Sequence, residues 1–281
     1  MELKRVLLVA WAVGSVFACA AADPERGDFA EPPRGWSNLR VGVLGDSITD
    51  KGQTGGQNVY WQYLSKWLGW DAHVYGISGH QWAQIPWQTD QMIKDMGDDV
   101  DAIFLFIGTN DFASGVPLGE WYDYVEGKVN WWGQERTLKQ RRLSFDPNTV
   151  KGRINISLRK LKTRYPDSQI VVLTPTTRAF FQCAPTNVQP AMDWPNTLGL
   201  YVDDYVKASR EGAAIWGCPV IDLFAEAGLV PLEKDAYGKC FRSKESDLLH
   251  PNSEGHRRLA ELIYCRLRAL PATFRRQPAA K

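Results

Sequence analysis

Five short apolar runs, each followed by helical periodicity or a turn, constrain this chain more than any other feature. Leu39 to Leu44, Ala72 to Tyr75, Ala102 to Ile107, Ile170 to Leu173 and Val220 to Phe224 read as strands. The third, Ala-Ile-Phe-Leu-Phe-Ile, is apolar at every position, as a strand covered on both faces must be. Helical spacing follows at Val59 to Leu68, Leu198 to Trp216 and Ser253 to Leu270. Asp146-Pro147 reads as the start of a further helix, with Val150, Ile154, Leu158, Leu161 and Tyr165 on one face and Pro166 as its stop. Such alternation predicts a three-layer α/β/α domain around a five-stranded parallel sheet, spanning residues 39–275. Ligands of such sheets bind beyond the carboxyl ends of the strands.

The ends of the chain read differently. Lys4 and Arg5, the apolar stretch from Val6 to Ala18, and the small residues Ala20, Ala21 and Ala22 have the layout of a signal peptide over residues 1–22. Val16-Phe17-Ala18-Cys19 is a loose lipoprotein box, in which Cys19 would carry lipid; a plain secretory signal ending near Ala22 is the alternative. Either reading implies export to the periplasm, the medium or the envelope surface, with Cys19 as the sole membrane attachment. Residues 23–38, rich in Pro and Gly, read as an exposed leader. Cys183, Cys218, Cys240 and Cys265 permit two disulfides in three connectivities, or remain buried thiols. No Cys-x-x-Cys pair argues for structural zinc. A formal net charge of +1 gives no electrostatic footprint for nucleic acid.

The chemistry-bearing residues fall where the strands end. Gly45-Asp46-Ser47 follows the first strand, Gly76-Ile77-Ser78-Gly79 the second, and Gly108-Thr109-Asn110-Asp111 the third. Asp247-Leu248-Leu249-His250 precedes the last helix. A serine hydroxyl needs an adjacent base to act as a nucleophile, and histidine is the side chain suited to that task. His250 has a carboxylate three residues before it that can orient the ring. His73, His80 and His256 are weaker candidates, with His80 close enough to the second motif to touch substrate. Asp46 reads as a structural hydrogen-bonding residue.

These four blocks, in this order over residues 41–270, resemble the SGNH hydrolase superfamily, also called GDSL esterases. The resemblance implies a flavodoxin-like fold and ester hydrolysis through an acyl-enzyme. It implies Ser47 as nucleophile, His250 as base and Asp247 as its orienting acid. Backbone N–H groups of Ser47 and Gly79 and the Asn110 side chain would form the oxyanion hole. The family's second-block surroundings differ here, at His80, Gln81 and Trp82. No metal or cofactor is implied.

Indoles supply the remaining expectation. Of 12 Trp, eight lie between residues 61 and 132. Trp61 and Trp67 fit the core face of the first helix. Trp82, Trp87, Trp121, Trp131 and Trp132 are read as a substrate-facing set, three of them in a long connection at about 112–145 expected beside the active-site mouth. Arg178, after the fourth strand, is a further candidate contact. The expected substrate is an acylated small molecule or polysaccharide, with acetylated carbohydrate preferred. A lysophospholipase or thioesterase is the alternative, and a glycan-binding protein without catalysis the third.

Overall fold

The computed structural model describes residues 31–53 and 58–272. The signal-peptide reading, Cys19 and the first part of the leader lie outside the described residues.

Burial explains the central sheet. The first strand, β1 (Arg40–Gly45), leads to α1 (Tyr60–Leu68), β2 (Asp71–Val74) and α2 (Ile85–Met96). Next come β3 (Ala102–Phe106), α3 (Thr109–Ala113), β4 (Tyr122–Trp131), β5 (Gln134–Leu143) and α4 (Val150–Arg164). The chain continues through β6 (Gln169–Leu173), β7 (Phe181–Ala184), β8 (Asn187–Gln189), α5 (Val202–Ile215) and β9 (Val220–Ile221). It ends with α6 (Leu223–Glu226), α7 (Lys234–Tyr237), β10 (Phe241–Ser243), β11 (Asp247–Pro251) and α8 (Ser253–Leu267). Five of these strands form one all-parallel sheet in the order β2-β1-β3-β6-β9. Every residue of β3 and β6 is buried, so both strands need helices on both faces. The apolar sides of α2, α4 and α5 meet in one core on one face. On the other, α1 and α8 join through Trp67 set edge-on to Tyr264 at 6.1 Å. The three-layer α/β/α architecture matches the expected fold.

Local chemistry moved several boundaries. The fourth helix begins at Val150 because Thr149, not Asp146, is its N-cap: the Gly152 N–H donates to Thr149 Oγ1 at 3.3 Å. Asp146 instead closes a turn by accepting the Asn148 N–H. The fifth sheet strand stops at Ile221, since Asp222 turns the chain and caps α6 by accepting the Ala225 N–H. Helix α5 starts at Val202, because Asn196 Oδ1 holds the Leu198 and Leu200 N–H groups in a preceding turn. The described part of the leader is not all exposed. Trp36 is buried against Phe104, and its carbonyl accepts the Trp70 indole N–H at 2.6 Å.

Besides helix α2 and the short helices α3, α6 and α7, two features have no counterpart in the expected layout. A four-stranded sheet, β10-β11-β7-β8, lies outside the parallel sheet and carries Asp247 and His250. The long connection is an antiparallel hairpin, with β4 and β5 paired over ten residues each. Its two-residue turn holds Trp132 and Gly133 at φ +57° and +78°, the left-handed pair that matches strand twist. Among the described residues Cys183, Cys218, Cys240 and Cys265 are free thiols, Cys218 and Cys240 buried and Cys183 and Cys265 exposed.

Candidate active site

The first functional residue is aimed by a glycine. A Cβ on Gly45 would come within 2.4 Å of Thr49 Oγ1 and 2.6 Å of the Phe106 carbonyl, so only glycine lets β1 end in so tight a turn. Gln88 fixes that glycine from α2. Its Oε1 accepts the Gly45 N–H at 2.9 Å and its Nε2 donates to the Gly45 carbonyl at 2.8 Å. Ser47 then sits two residues past the clamp, buried at the carboxyl end of the sheet. Nothing in the sequence pattern singled out Gln88, whose polar side chain interrupts the apolar face of α2.

Ser47 meets its partner from 203 residues away. Ser47 Oγ lies 2.9 Å from His250 Nε2. His250 Nδ1 lies 3.0 Å from both oxygens of Asp247. An ionised carboxylate only accepts, so Nδ1 carries the proton and Nε2 is left to accept from the serine. Burial opposes ionisation of Asp247. The His250 hydrogen bond and charge, with the His250 and Leu249 backbone N–H groups, outweigh it and hold the carboxyl below its ordinary value. Phe181 on β7 packs edge-on to the His250 ring at 5.0 Å and is paired in register with Asp247. The second sheet therefore fixes both residues.

The motif glycine and asparagine face the same space. Gly79 has φ +80°, which favours glycine there. Among the described residues its N–H and that of Ser47 have no internal acceptor. Asn110, in the first turn of α3, donates from Nδ2 to the His80 carbonyl at 2.9 Å. An amide has two N–H bonds, so one remains for a ligand. Gln81 Nε2 in turn donates to the Asn110 carbonyl at 3.3 Å. Ser47, Gly79, Asn110, Asp247 and His250 all line one pocket of about 380 Å³. Its far wall is polar: Asn187 and Gln189 from β8, Arg242 from β10, and Gln53. Sequence spacing carries no signal for this wall, because β8 and β10 are three residues each.

The tryptophan set is corrected. None of the five lines this pocket. Trp82 is fully buried, its backbone N–H donating to Asp111 and its carbonyl accepting from Ser157. Trp121 is buried, with its indole N–H on Glu211. Trp87 is half exposed on α2, edge-on to His80. Trp131 and Trp132 stand at the far end of the hairpin, where strand pairing carries them. Arg178 is also corrected. It is buried, donating to Thr109 Oγ1 at 2.9 Å and to Gln189 Oε1, so it braces the pocket wall from behind. Burial lowers its guanidinium to about 10, against the pull of Asp46 and Asp247. His80 serves through its carbonyl, and its ring is held by Gln88. His256 is buried against Tyr60, and burial pushes it down to about 3.

Two buried carboxyls sit beneath the site. Burial raises Asp46 to about 7, against the Ile48 N–H and with the nearby Asp111 charge adding to the rise. Burial raises Asp111 to about 6, against the Trp82 N–H and Arg153, whose Nη1 is 3.0 Å away. For Asp46 the folded value lies above the ordinary 3.8, so the unfolded chain releases its proton first. Stability therefore falls as pH rises from about 4 to 7 and then levels, a loss of roughly 4 kcal/mol from this group. Asp46→Asn keeps an acceptor for the Ile48 N–H and removes the titration. Its stability relative to wild type is expected to climb by that amount across the same window in guanidinium unfolding. A difference that stays constant with pH would contradict the assignment.

A parallel α/β sheet with a serine, a histidine and an aspartate in hydrogen-bonding sequence at its carboxyl end has the geometry that acyl-transfer hydrolysis needs. The GDSL-like lipase/acylhydrolase profile matches residues 43–258, and the chain belongs to that family, within the SGNH hydrolase superfamily. One solved structure is 28% identical, with a TM-score of 0.64 over 84% of this chain and 99% of its own. A protein from Lactobacillus plantarum is 24% identical, with a TM-score of 0.61, covering 83% of this chain and 98% of its own. A possible lipase from Chitinophaga pinensis is 19% identical, with a TM-score of 0.59 and the same coverage. These last two show the fold. No curated protein matches the chain.

Proposed function

We propose that the protein is an exported serine esterase that removes short acyl groups, acetyl foremost, from carbohydrate. The observation that carries the substrate choice is the pocket beside Ser47. Gln53, Asn187, Gln189 and Arg242 give it a hydrogen-bonding wall suited to a hydroxyl-rich alcohol. Phe181 and Leu249 are the large apolar side chains on a lining otherwise mostly polar, which favours a short acyl group over a long chain. The reading of residues 1–22 as a signal supports export.

In the first step Ser47 Oγ attacks the ester carbonyl carbon as its proton passes to His250 Nε2. The carbonyl oxygen becomes an oxyanion facing the Ser47 and Gly79 N–H groups and the free Asn110 N–H. The bond to the alcohol oxygen breaks, and His250 returns its proton to the departing alcohol. Water then attacks the acyl-enzyme, giving its proton to the same nitrogen. The acid leaves and the serine hydroxyl is restored.

Turnover of nitrophenyl acetate against the octanoate and palmitate tests the acyl side. An acetate preference of at least about tenfold in kcat/KM is expected, since a mostly polar lining gains nothing from extra methylenes and one methylene discriminates on that order. Acetate release from acetylated polysaccharides tests the alcohol side. Faster turnover of long chains would replace this reading with a lysophospholipase or thioesterase. Binding of glycans with no hydrolysis of any ester would leave a binding protein.

A further inference from the structure

The β4–β5 hairpin is an arm with one mostly polar face and one face that carries an apolar stripe. Its base is held firmly: Asn155 Nδ2 donates to the Trp121 carbonyl at 3.2 Å and the Ser144 carbonyl at 2.8 Å, binding both strands to α4. Beyond the base, among the described residues, β4 and β5 pair only with each other. A lone two-stranded ribbon is marginal in water and needs cover on a face. Residues opposite each other across an antiparallel pair share a face. One face therefore holds Tyr122, Tyr124, Glu126, Lys128, Glu135, Lys139 and Arg141, and is mostly polar, with Tyr124 exposed on it. Lys128 meets Glu135 there at 2.8 Å, and the Arg141 guanidinium lies 4.2 Å from the centre of the Tyr122 ring.

The other face carries the pairs Asp123↔Arg142, Val125↔Gln140, Gly127↔Leu138, Val129↔Arg136 and Trp131↔Gln134. Val125, Val129, Leu138 and Trp131 are each exposed by 41 to 52%. The central pair joins a knob to a hole. Leu138 projects, while a Cβ built on Gly127 would touch nothing within 4 Å. A depression of about 270 Å³ lies there, bordered by Val129, Gln140 and Leu138 itself, with Lys128 and Lys139 also on its lining.

We propose that this face binds the same face of a second copy, about a two-fold axis running along the arm. Such an axis sets β4 of one copy over β5 of the other. Leu138 then enters the partner's depression at the glycine position, and the reverse contact forms by symmetry. The same operation sets each Asp123 against the partner's Arg142, so charge and shape agree in one register. The alternative two-fold, across the arm, would face glycine with glycine and leave the hole empty. Lipid is a poorer cover. The apolar stripe runs the length of the arm rather than its tip, and unpaired strand edges are costly in hydrocarbon.

Sedimentation velocity of the full chain over a range of concentrations reads the association. A species of twice the chain mass is expected. Leu138→Asp buries two carboxylates at the centre and is expected to weaken association at least about 30-fold. Hydrolysis of nitrophenyl acetate should persist, since Leu138 is remote from the Ser47 pocket. Cross-linking gives an independent reading in a background where Cys183 and Cys265 are serine. Mixed chains bearing Gly127→Cys and Leu138→Cys should join by a disulfide under air, and chains with Thr137→Cys, on the opposite face, should not. The inference is overturned if the wild type stays a monomer at about 100 μM. It is equally overturned if Leu138→Asp leaves the dimer intact, or if a monomer binds anionic vesicles through Trp131 and Trp132.

Discussion

Ser47→Ala is expected to lower kcat for acetate esters by roughly 10⁴- to 10⁶-fold, with KM changed little. The serine oxygen stands 2.9 Å from His250 Nε2, and among the described residues no other hydroxyl shares that contact. Ser78, the nearest serine in the sequence motifs, lines the same pocket, but its backbone N–H donates to Asp50 and, among the described residues, its hydroxyl has no hydrogen-bonded base. Removing Oγ leaves the Gly79 and Asn110 donors in place, so a remnant rate above that of water should survive through oxyanion stabilisation alone. Mass spectrometry of wild type with an organophosphonate should find the adduct on Ser47 and none on the variant. More than about one hundredth of wild-type turnover in Ser47→Ala would remove the serine from its proposed role.

The sheet and the motifs at its strand ends were legible for one physical reason. Buried parallel strands read as unbroken apolar runs, and β3 and β6 are buried at every position. What was hidden lacked such a pattern. Helix α2 buries Gln88 and Thr89 among its apolar side chains, so its periodicity is blurred. Strands β7, β8 and β10 are too short for alternation to register, yet they hold the histidine and form the polar wall. The hairpin left a signal that loop reading passes over: Trp132-Gly133 is a two-residue turn between two segments of equal length. The tryptophan expectation failed because nearness in sequence to Asn110 was equated with nearness in space. Ten-residue strands carry a side chain about 30 Å along their axis, so Trp131 and Trp132 follow the motif closely in the chain without facing its pocket. Arg178 was legible as a site residue and illegible as a buried one, since a charged side chain is nearly always placed outside unless its partners are known.

Asp247→Asn is expected to cost roughly 10⁴-fold in kcat while leaving KM near the wild-type value. The carboxylate accepts from His250 Nδ1 and from the His250 and Leu249 N–H groups. The asparagine oxygen can still take the two backbone donors, so β11 should keep its conformation. Its amide nitrogen, in contrast, donates. Turned toward Nδ1, it favours the ring with the proton on Nε2, and that ring cannot accept the proton of Ser47. Nothing would then remain to stabilise the imidazolium formed as the serine attacks. A purely structural role would lower stability and raise KM together; the proposed role lowers kcat alone. It also leaves a signature in pH, because a variant without its base depends on hydroxide, and its residual rate should rise about tenfold per pH unit on the alkaline side. Asp247→Ala forms the comparison: it loses the backbone acceptor as well, so it should unfold at lower denaturant than Asp247→Asn. A variant Asp247→Asn with kcat within tenfold of wild type would show that another group orients His250.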